Sequence, residues 1–187
     1  MLPRQLGVGA KGGAEAISHA ARQYLSDMEA ESDSVLVKLD FANVFNSIRR
    51  DCMLEAVSKH IPELMEYVAS CYGETSSLSF GPYIIDFAEG VQQGDPLGPL
   101  LFSLTINEAL SSIQCNFVAG YLDDITLGGP VVQVAEEISK FEISTKELGL
   151  QLNYGECKLL VSRPPRHVCG VTPPFNLLRS IVHTLHC

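Results

Sequence analysis

Apolar residues recur every three or four positions in several stretches of the chain, a spacing typical of amphipathic helices. The first stretch covers residues 13–30. The next two cover residues 50–60 and 62–73, the latter starting at a proline that a first helical turn tolerates. Residues 95–113 open with two prolines and then continue without a helix breaker, which predicts a buried helix. A fifth helix is predicted for residues 134–148, where a following glycine terminates it.

Shorter runs of branched and apolar residues predict strands. Residues 35–40 form a buried strand that ends in a carboxylate, and residues 77–80 and 83–87 form two strands joined at a Gly-Pro turn. Residues 117–128 are two apolar stretches around an Asp-Asp pair. They predict a hairpin with the acids at its tip, because charged residues are poorly tolerated inside strands. Residues 150–160 are predicted to return as a further strand.

These elements predict an α+β fold in which a small antiparallel sheet carries the acids and helices cover its other face. After residue 160 the pattern changes, because the remaining stretch contains four prolines, no acidic residue and no clear period. We therefore expect residues 161–187 to form a loosely held tail.

The composition bounds the class of protein. The 187-residue chain is 46% hydrophobic, enough to bury a core, and it contains no apolar run long enough to cross a membrane. Its N-terminus lacks the basic start and apolar block of a signal peptide, so we expect an intracellular protein that contacts no membrane. The net charge of −9 is unusual for a protein that binds nucleic acid.

Three carboxylates have surroundings that indicate a shared site: Asp40 at the end of a predicted strand, and Asp123 with Asp124 at the predicted hairpin tip. An Asp-Asp pair alone is more often a solvated turn. Carboxylates at adjacent ends of neighbouring strands, however, repel each other unless a cation lies between them. Such a site suits Mg²⁺, and two ions about 3.5–4 Å apart would support the in-line phosphoryl displacement of nucleotidyl transfer.

The order and the residues of four sequence blocks resemble the palm motifs of reverse transcriptases of the non-LTR retrotransposon type. The blocks are KLDFANVFNSIRRD at residues 38–51, GVQQGDPLGPLLFSL at 90–104, YLDD at 121–124, and LGLQLN followed by ECK within 148–158. The second block is the most specific of the four. The resemblance implies a palm-type antiparallel sheet backed by helices, with partial fingers, and the activity of an RNA-directed DNA polymerase.

The resemblance also implies roles for the acids and for one lysine. Asp40 would be the first metal ligand, with the backbone carbonyl of Phe41 beside it, and Asp123 would be the second shared ligand. Asp124 would be a third catalytic and metal-binding acid, close to the metal with a less direct role. The implied cofactors are two Mg²⁺ ions, with Mn²⁺ as a substitute. Lys158 would act as general acid for the leaving pyrophosphate, although an exposed surface lysine is an equally good interpretation.

Three further residues match positions that contact nucleotides in this family. Gln93 and Gly94 match a Gln-Gly pair that contacts the incoming nucleotide and the template, where glycine lets a backbone approach closely. Phe45 matches an aromatic residue that crowds the sugar 2′ position and favours deoxynucleotides; its alternative is a plain core role. Gly98 stands where most relatives have serine, a departure that does not touch the metal site.

The implied partners are an RNA template, a DNA primer and dNTPs. We assign residues 1–33 to a partial fingers segment, residues 34–160 to the palm and residues 161–187 to the tail. A complete enzyme of this kind would also carry basic fingers strands, a primer-gripping hairpin and a helical thumb. Their absence from this sequence would explain its net acidity.

Two alternatives stay open at this point. The chain could be a catalytically inactive retroelement remnant with the same palm fold, which the missing segments favour and the intact acids oppose. It could also be the palm of another polymerase class, such as an RNA-dependent RNA polymerase. Phe45 opposes this second alternative, because an enzyme that uses ribonucleotides should not crowd the 2′ position.

Overall fold

A computed structural model describes residues 4–28 and 33–161 of the chain. The helices are α1 (Gly13–Met28), α2 (Val44–Ser47), α3 (Arg50–His60), α4 (Met65–Tyr72), α5 (Gly98–Ser112) and α6 (Val131–Glu147), and a 3-10 turn at Pro62–Leu64 precedes α4. The strands are β1 (Ser34–Leu39), β2 (Ser76–Phe80), β3 (Tyr83–Phe87), β4 (Phe117–Tyr121), β5 (Asp124–Pro130) and β6 (Lys158–Val161). The tail predicted for residues 161–187 lies outside the described residues, apart from Val161.

Four strands form one antiparallel sheet in the order β4-β5-β1-β6, and β2 and β3 form a separate hairpin. β1 pairs with β5 on one side and with β6 on the other, and its last residue, Leu39, lies opposite Ile125. β4 and β5 remain paired up to Tyr121 and Asp124, so only two residues form the loop between them. The predicted α+β class and the predicted hairpin with acids at its tip are therefore confirmed.

The central strand β1 is covered on both faces. Val37 and Leu39 are fully buried in the core, and α6 packs against β1. On the opposite face, Leu36 lies across from Gly128, and α1 packs there so closely that a Cβ on Gly128 would lie 2.7 Å from the ring of Tyr24. A strand that is buried on both faces has no polar alternation, which is why its sequence is an almost continuous apolar run.

The core is built around α5, which packs against α3 and α6. Phe102, Ile106 and Leu110 lie four residues apart on this helix and are fully buried. The helix starts at Gly98, three residues later than the first residue of the predicted stretch, because Asp95 and its neighbours form a turn before it. No helix in the described part of the chain, α5 included, combines the length and apolar composition that a membrane span requires.

The structure differs from the sequence predictions at two other places. The short helix α2 was not predicted, because a single turn carries no measurable period. The strand predicted for residues 150–160 is mostly irregular: Leu152 forms one isolated bridge with Phe41, a turn follows, and regular pairing with β1 begins only at Lys158. The residues on either side of that turn hydrogen-bond to the backbone of Asp40.

Candidate active site

The sheet brings the predicted acids to one edge. Leu39 and Ile125 face each other on β1 and β5, so the next residues along the two strands are Asp40 and Asp124, and Asp123 occupies the hairpin loop. All three acids therefore lie where β1 ends and the β4–β5 hairpin turns. The antiparallel pairing of β1 with β5 thus brings together Asp40 and Asp123, which are 83 residues apart along the chain.

Asp123 lies in an environment that disfavours its negative charge. Its side chain is half-buried, and burial is the main reason that its pKa is raised above the ordinary value. The negative charges of Asp124 and Asp40 raise this pKa further, while the amide of Asp123 and the ammonium of Lys38 lower it. The effect of Asp40 on Asp123 indicates that the two carboxylates share one electrostatic site, which a cation between them would stabilise.

Asp124 is held differently from Asp123. Its Oδ1 atom lies 2.7 Å from Nζ of Lys38, and both side chains are about half-exposed. Asp124 is therefore already paired with a cation of the protein, whereas no ion pair involves Asp123 among the described residues.

The predicted metal ligands form only a small group. Within residues 4–28 and 33–161, no three His, Cys, Asp or Glu side chains group closely enough to hold a metal ion by themselves. Asp40 and Asp123 could still hold Mg²⁺ with the carbonyl of Phe41, because protein sites for this ion use one or two carboxylates and complete the shell with water and phosphate oxygens. The ring of Phe41 is buried 6.0 Å from that of Phe141, so only its backbone is suited to this role.

The backbone of Asp40 is fixed by the irregular segment before β6. The amide of Asn153 donates to the carbonyl of Asp40 at 2.9 Å, and the amide of Asp40 donates to Sγ of Cys157 at 3.3 Å. Cys157 is buried, and the sequence offered no signal for its contact with Asp40. The fourth sequence block thus positions the first acid through contacts that only the fold reveals.

Phe45 belongs to the first sequence block and packs against the second. Its ring is half-buried, 5.2 Å from that of Phe102, and its carbonyl accepts a hydrogen bond from Val91 at 2.7 Å. At Gly90, which has a φ of 71°, a Cβ would lie 2.5 Å from Cα of Asn46. The second block therefore crosses directly over α2, and only glycine allows so close an approach.

Gln93 and Gly94 follow this crossing and are exposed. Gly94 has a φ of 88°, and a Cβ there would meet no atom within 4 Å, so glycine is required by the backbone conformation alone. Gln93 lines an open cavity of about 440 Å³ between α2 and the β2–β3 hairpin, together with Asn46 and Phe87. This cavity has the size of a small-molecule site.

Lys158 lies at the start of β6, opposite Lys38 of β1. Residues directly opposite each other in an antiparallel pair project from the same face of the sheet, so the two lysines share the face on which Asp124 is paired. Lys158 is exposed and makes no ion pair with a described residue.

Two buried polar residues that the sequence did not single out brace the second block. The guanidinium of Arg50 donates to the carbonyls of Gly90 and Glu74, each at 3.1 Å, and stacks over the ring of Tyr72 at 5.3 Å. The hydroxyl of Tyr72 donates to the carboxylate of Asp95 and accepts from the amide of Gln92 at 3.2 Å. These contacts hold the loop that carries Gln93 and Gly94.

Comparison with known proteins supplies the family. Residues 11–173 match the family described as reverse transcriptase (RNA-dependent DNA polymerase). The chain is 31% identical over 137 residues to the retrotransposable element SLACS 132 kDa protein of Trypanosoma brucei gambiense, a match that covers 67% of the chain and 12% of that protein. It is 25% identical over 136 residues to the retrovirus-related Pol polyprotein from type-1 retrotransposable element R2 of Bradysia coprophila, covering 64% of the chain and 16% of that protein.

Solved structures share the fold. Apo telomerase from Candida tropicalis, truncated from its C-terminal domain, superimposes with a TM-score of 0.62 at 12% identity, covering 82% of this chain and 36% of that one. Telomerase from Candida albicans in complex with a TWJ fragment of telomeric RNA gives a TM-score of 0.61 at 8% identity, covering 82% and 31%. Identities this low show a common fold, of the polymerase palm type. The chain spans only 12% and 16% of the two curated relatives above.

Proposed function

Because the chain belongs to the reverse transcriptase (RNA-dependent DNA polymerase) family, we propose that it provides the palm of an RNA-directed DNA polymerase. The substrates would be dNTPs, a DNA primer and an RNA template. The observation that carries this proposal is the placement of Asp40 and Asp123 at one edge of the sheet, where the charge of Asp40 raises the pKa of Asp123. Residues 34–160 would form the palm, and residues 1–33 part of the fingers.

Asp40 and Asp123, with the carbonyl of Phe41, would hold two Mg²⁺ ions, for which Mn²⁺ could substitute. When bound, the ions would supply charge neutralisation and a lowered pKa for the attacking hydroxyl. In the reaction, the 3′-hydroxyl of the primer attacks the α-phosphorus of the dNTP. A phosphodiester bond forms, and the bond to pyrophosphate breaks.

The other residues of the site would bind and orient the substrates. Gln93 and Gly94 would contact the incoming nucleotide and the template from the exposed loop over α2. The ring of Phe45 would exclude a 2′-hydroxyl, and its packing against Phe102 would keep it in place. Lys158 would donate a proton to the departing pyrophosphate, a role that its exposed position permits.

The metal site can be tested without turnover. We would measure the melting temperature of the chain with and without Mn²⁺ for the parent protein, Asp40→Asn, Asp123→Asn and the matched control Asp86→Asn, at an exposed position of β3. The parent and Asp86→Asn should be stabilised by the ion, because a ligand that binds only the folded state raises its stability. Asp40→Asn and Asp123→Asn should respond much less. A response of Asp40→Asn equal to that of the parent would contradict the site.

The polymerase activity is tested by extension of a DNA primer on an RNA template with dNTPs and Mg²⁺ or Mn²⁺ at low salt. Metal-dependent extension by the parent that disappears in Asp123→Asn would support the proposal. Extension that persists in Asp123→Asn would contradict the assignment of this acid. Failure of extension with every protein would favour the inactive remnant.

A further inference from the structure

Gln5 is a buried polar residue whose side-chain amide pairs with the backbone of the acidic hairpin. Its side chain is almost fully buried, with 1% exposure. Oε1 of Gln5 accepts a hydrogen bond from the amide of Leu122 at 2.8 Å, and Nε2 donates to the carbonyl of the same residue at 3.0 Å. A third bond, from the amide of Gly7 to Oε1 at 3.0 Å, fixes the rotamer of Gln5.

Leu122 needs a hydrogen-bonding partner more than the residues of the flanking strands do. It is the first residue of the two-residue loop between Tyr121 and Asp124, so neither its amide nor its carbonyl belongs to the strand ladder. Its φ of 55° lies in the left-handed region, which a leucine adopts only at an energetic cost. Such a conformation persists when surrounding contacts over-determine it, and the paired amide of Gln5 provides those contacts.

Hydrogen bonds of the neighbouring residues hold Gln5 in place. Gly120 of β4 exchanges backbone hydrogen bonds with both neighbours of Gln5, donating to Arg4 at 2.6 Å and accepting from Leu6 at 2.8 Å. The guanidinium of Arg4 donates to three carbonyls at the end of α5, those of Leu110 at 3.1 Å, Ser111 at 2.9 Å and Ile113 at 2.6 Å. The segment around Gln5 therefore connects the central helix of the core to the hairpin tip.

We propose that Gln5 is a positioning residue for the active site: its amide holds Leu122 in the left-handed conformation and thereby sets the direction in which the next residue, Asp123, presents its carboxylate to Asp40. The catalytic meaning of this inference rests on the proposed function, whereas the control of the loop by Gln5 does not. Residues outside a metal's direct ligands affect metal affinity by orienting those ligands, typically by about 10–100-fold.

The substitution Gln5→Met tests the inference, because methionine has a similar length and apolar body but forms neither amide hydrogen bond. In the 187-residue chain, amide hydrogen exchange followed by NMR should be at least about tenfold faster at Leu122 than in the parent, since the hydrogen bond that protects it is lost. Exchange at Leu127, inside β5, should not change. The Mn²⁺ dissociation constant should rise by about tenfold. The matched control is Gln23→Met, the same change at an exposed position of α1.

A second variant moves the loop without removing Gln5. A Cβ at Gly7 would lie 2.5 Å from the amide nitrogen of Leu122, so Gly7→Ala should displace the hairpin tip and also weaken Mn²⁺ binding. Faster exchange at Leu122 and Leu127 alike in Gln5→Met would reduce Gln5 to a core residue and overturn the proposal. Faster exchange at Leu122 alone, with unchanged Mn²⁺ affinity, would also overturn it.

The two proposals fail in different ways. A parent protein that binds no Mn²⁺ would contradict the proposed metal site, and the exchange rate of Leu122 would still decide whether Gln5 controls the loop. Unchanged exchange at Leu122 in Gln5→Met, in a parent that does bind Mn²⁺, would overturn the role of Gln5 and leave the metal site standing.

Discussion

Nζ of Lys38 lies 2.7 Å from Oδ1 of Asp124. The second acid of the hairpin therefore pairs with a lysine of β1, the strand that ends next to Asp40. Because both side chains are about half-exposed, water screens this pair and limits its energy. The contact therefore contributes little to the stability of the fold. Its main consequence is that Asp124 has a cationic partner, which Asp123 lacks among the described residues.

This relationship predicts a weak coupling between the two side chains. In a double-mutant cycle of Lys38→Met and Asp124→Asn, the coupling free energy should be at most about 1 kcal/mol, the range of exposed ion pairs. It is measured from urea unfolding of the parent, the two single variants and the double variant at low salt, and it should shrink at high salt. A coupling that is large and independent of salt would contradict the prediction.

The sequence was sufficient for elements whose signal is local. α1, α5 and α6 have a clear period or an unbroken apolar run, and β1 is recognisable because both of its faces are buried. The acids were recognisable as well, because Asp40 ends such a strand and the Asp-Asp pair interrupts two apolar stretches. In each case the information lies within one continuous stretch of the chain.

Contacts between distant residues could not be predicted in this way. Gln5 lies 117 positions from the residue that it pairs with, and Cys157 lies 117 positions from Asp40. Neither residue type at its position carries a periodic or compositional signal. Arg50 is a further case, because a charged residue is more often exposed than buried against carbonyls and rings. Residues that support the acids through long-range contacts are thus less predictable than the acids themselves.

Gly90 predicts a large effect of a single methyl group. Its φ of 71° disfavours alanine, and a Cβ would lie 2.5 Å from Cα of Asn46 and 2.6 Å from the carbonyl oxygen of Phe45. Gly90→Ala should lower the free energy of unfolding by about 3 kcal/mol or more, because backbone strain and a clash with α2 add together.

The matched control for Gly90→Ala is Gly81→Ala in the β2–β3 turn. Gly81 also has a positive φ, 59°, but a Cβ there would meet nothing within 4 Å. Only conformational strain remains, so the loss in urea unfolding should be about 1–2 kcal/mol. Equal losses for the two variants would mean that the second block does not cross α2 as closely as described.

Arg50 and its neighbour Arg49 provide a second matched pair. Arg50 is buried, and its guanidinium hydrogen-bonds to the carbonyls of Gly90 and Glu74. Burial also lowers the pKa of Arg50, because removal from water disfavours its charge. Arg50→Met should lower the free energy of unfolding by about 2–4 kcal/mol. The variant loses two charge-assisted hydrogen bonds, and removal of the buried charge offsets only part of that loss.

Arg49 is exposed and pairs with Asp51, so Arg49→Met should leave the unfolding midpoint in urea almost unchanged. A comparable loss in Arg49→Met and Arg50→Met would indicate that helix α3, rather than the contacts of Arg50, is responsible. If Arg50→Met were as stable as the parent, the proposed bracing of the second block would be wrong.

Tyr72 predicts a pH-dependent stability at the alkaline end. Burial, and secondly the hydrogen bond to Asp95, raise the pKa of Tyr72 from 10.0 to about 12. The neutral phenol is therefore favoured in the folded state, and its contribution is fully present below pH 10 and is lost as the pH rises towards 12. Tyr72→Phe should lower the free energy of unfolding by about 1–2 kcal/mol at pH 7, because Oδ2 of Asp95 and the backbone amide of Gln92 each lose their hydrogen bond to the phenol. In urea unfolding at several pH values, the difference between parent and variant should decrease above pH 10; a difference that stays constant to pH 12 would show that the phenol of Tyr72 is not held neutral by the fold.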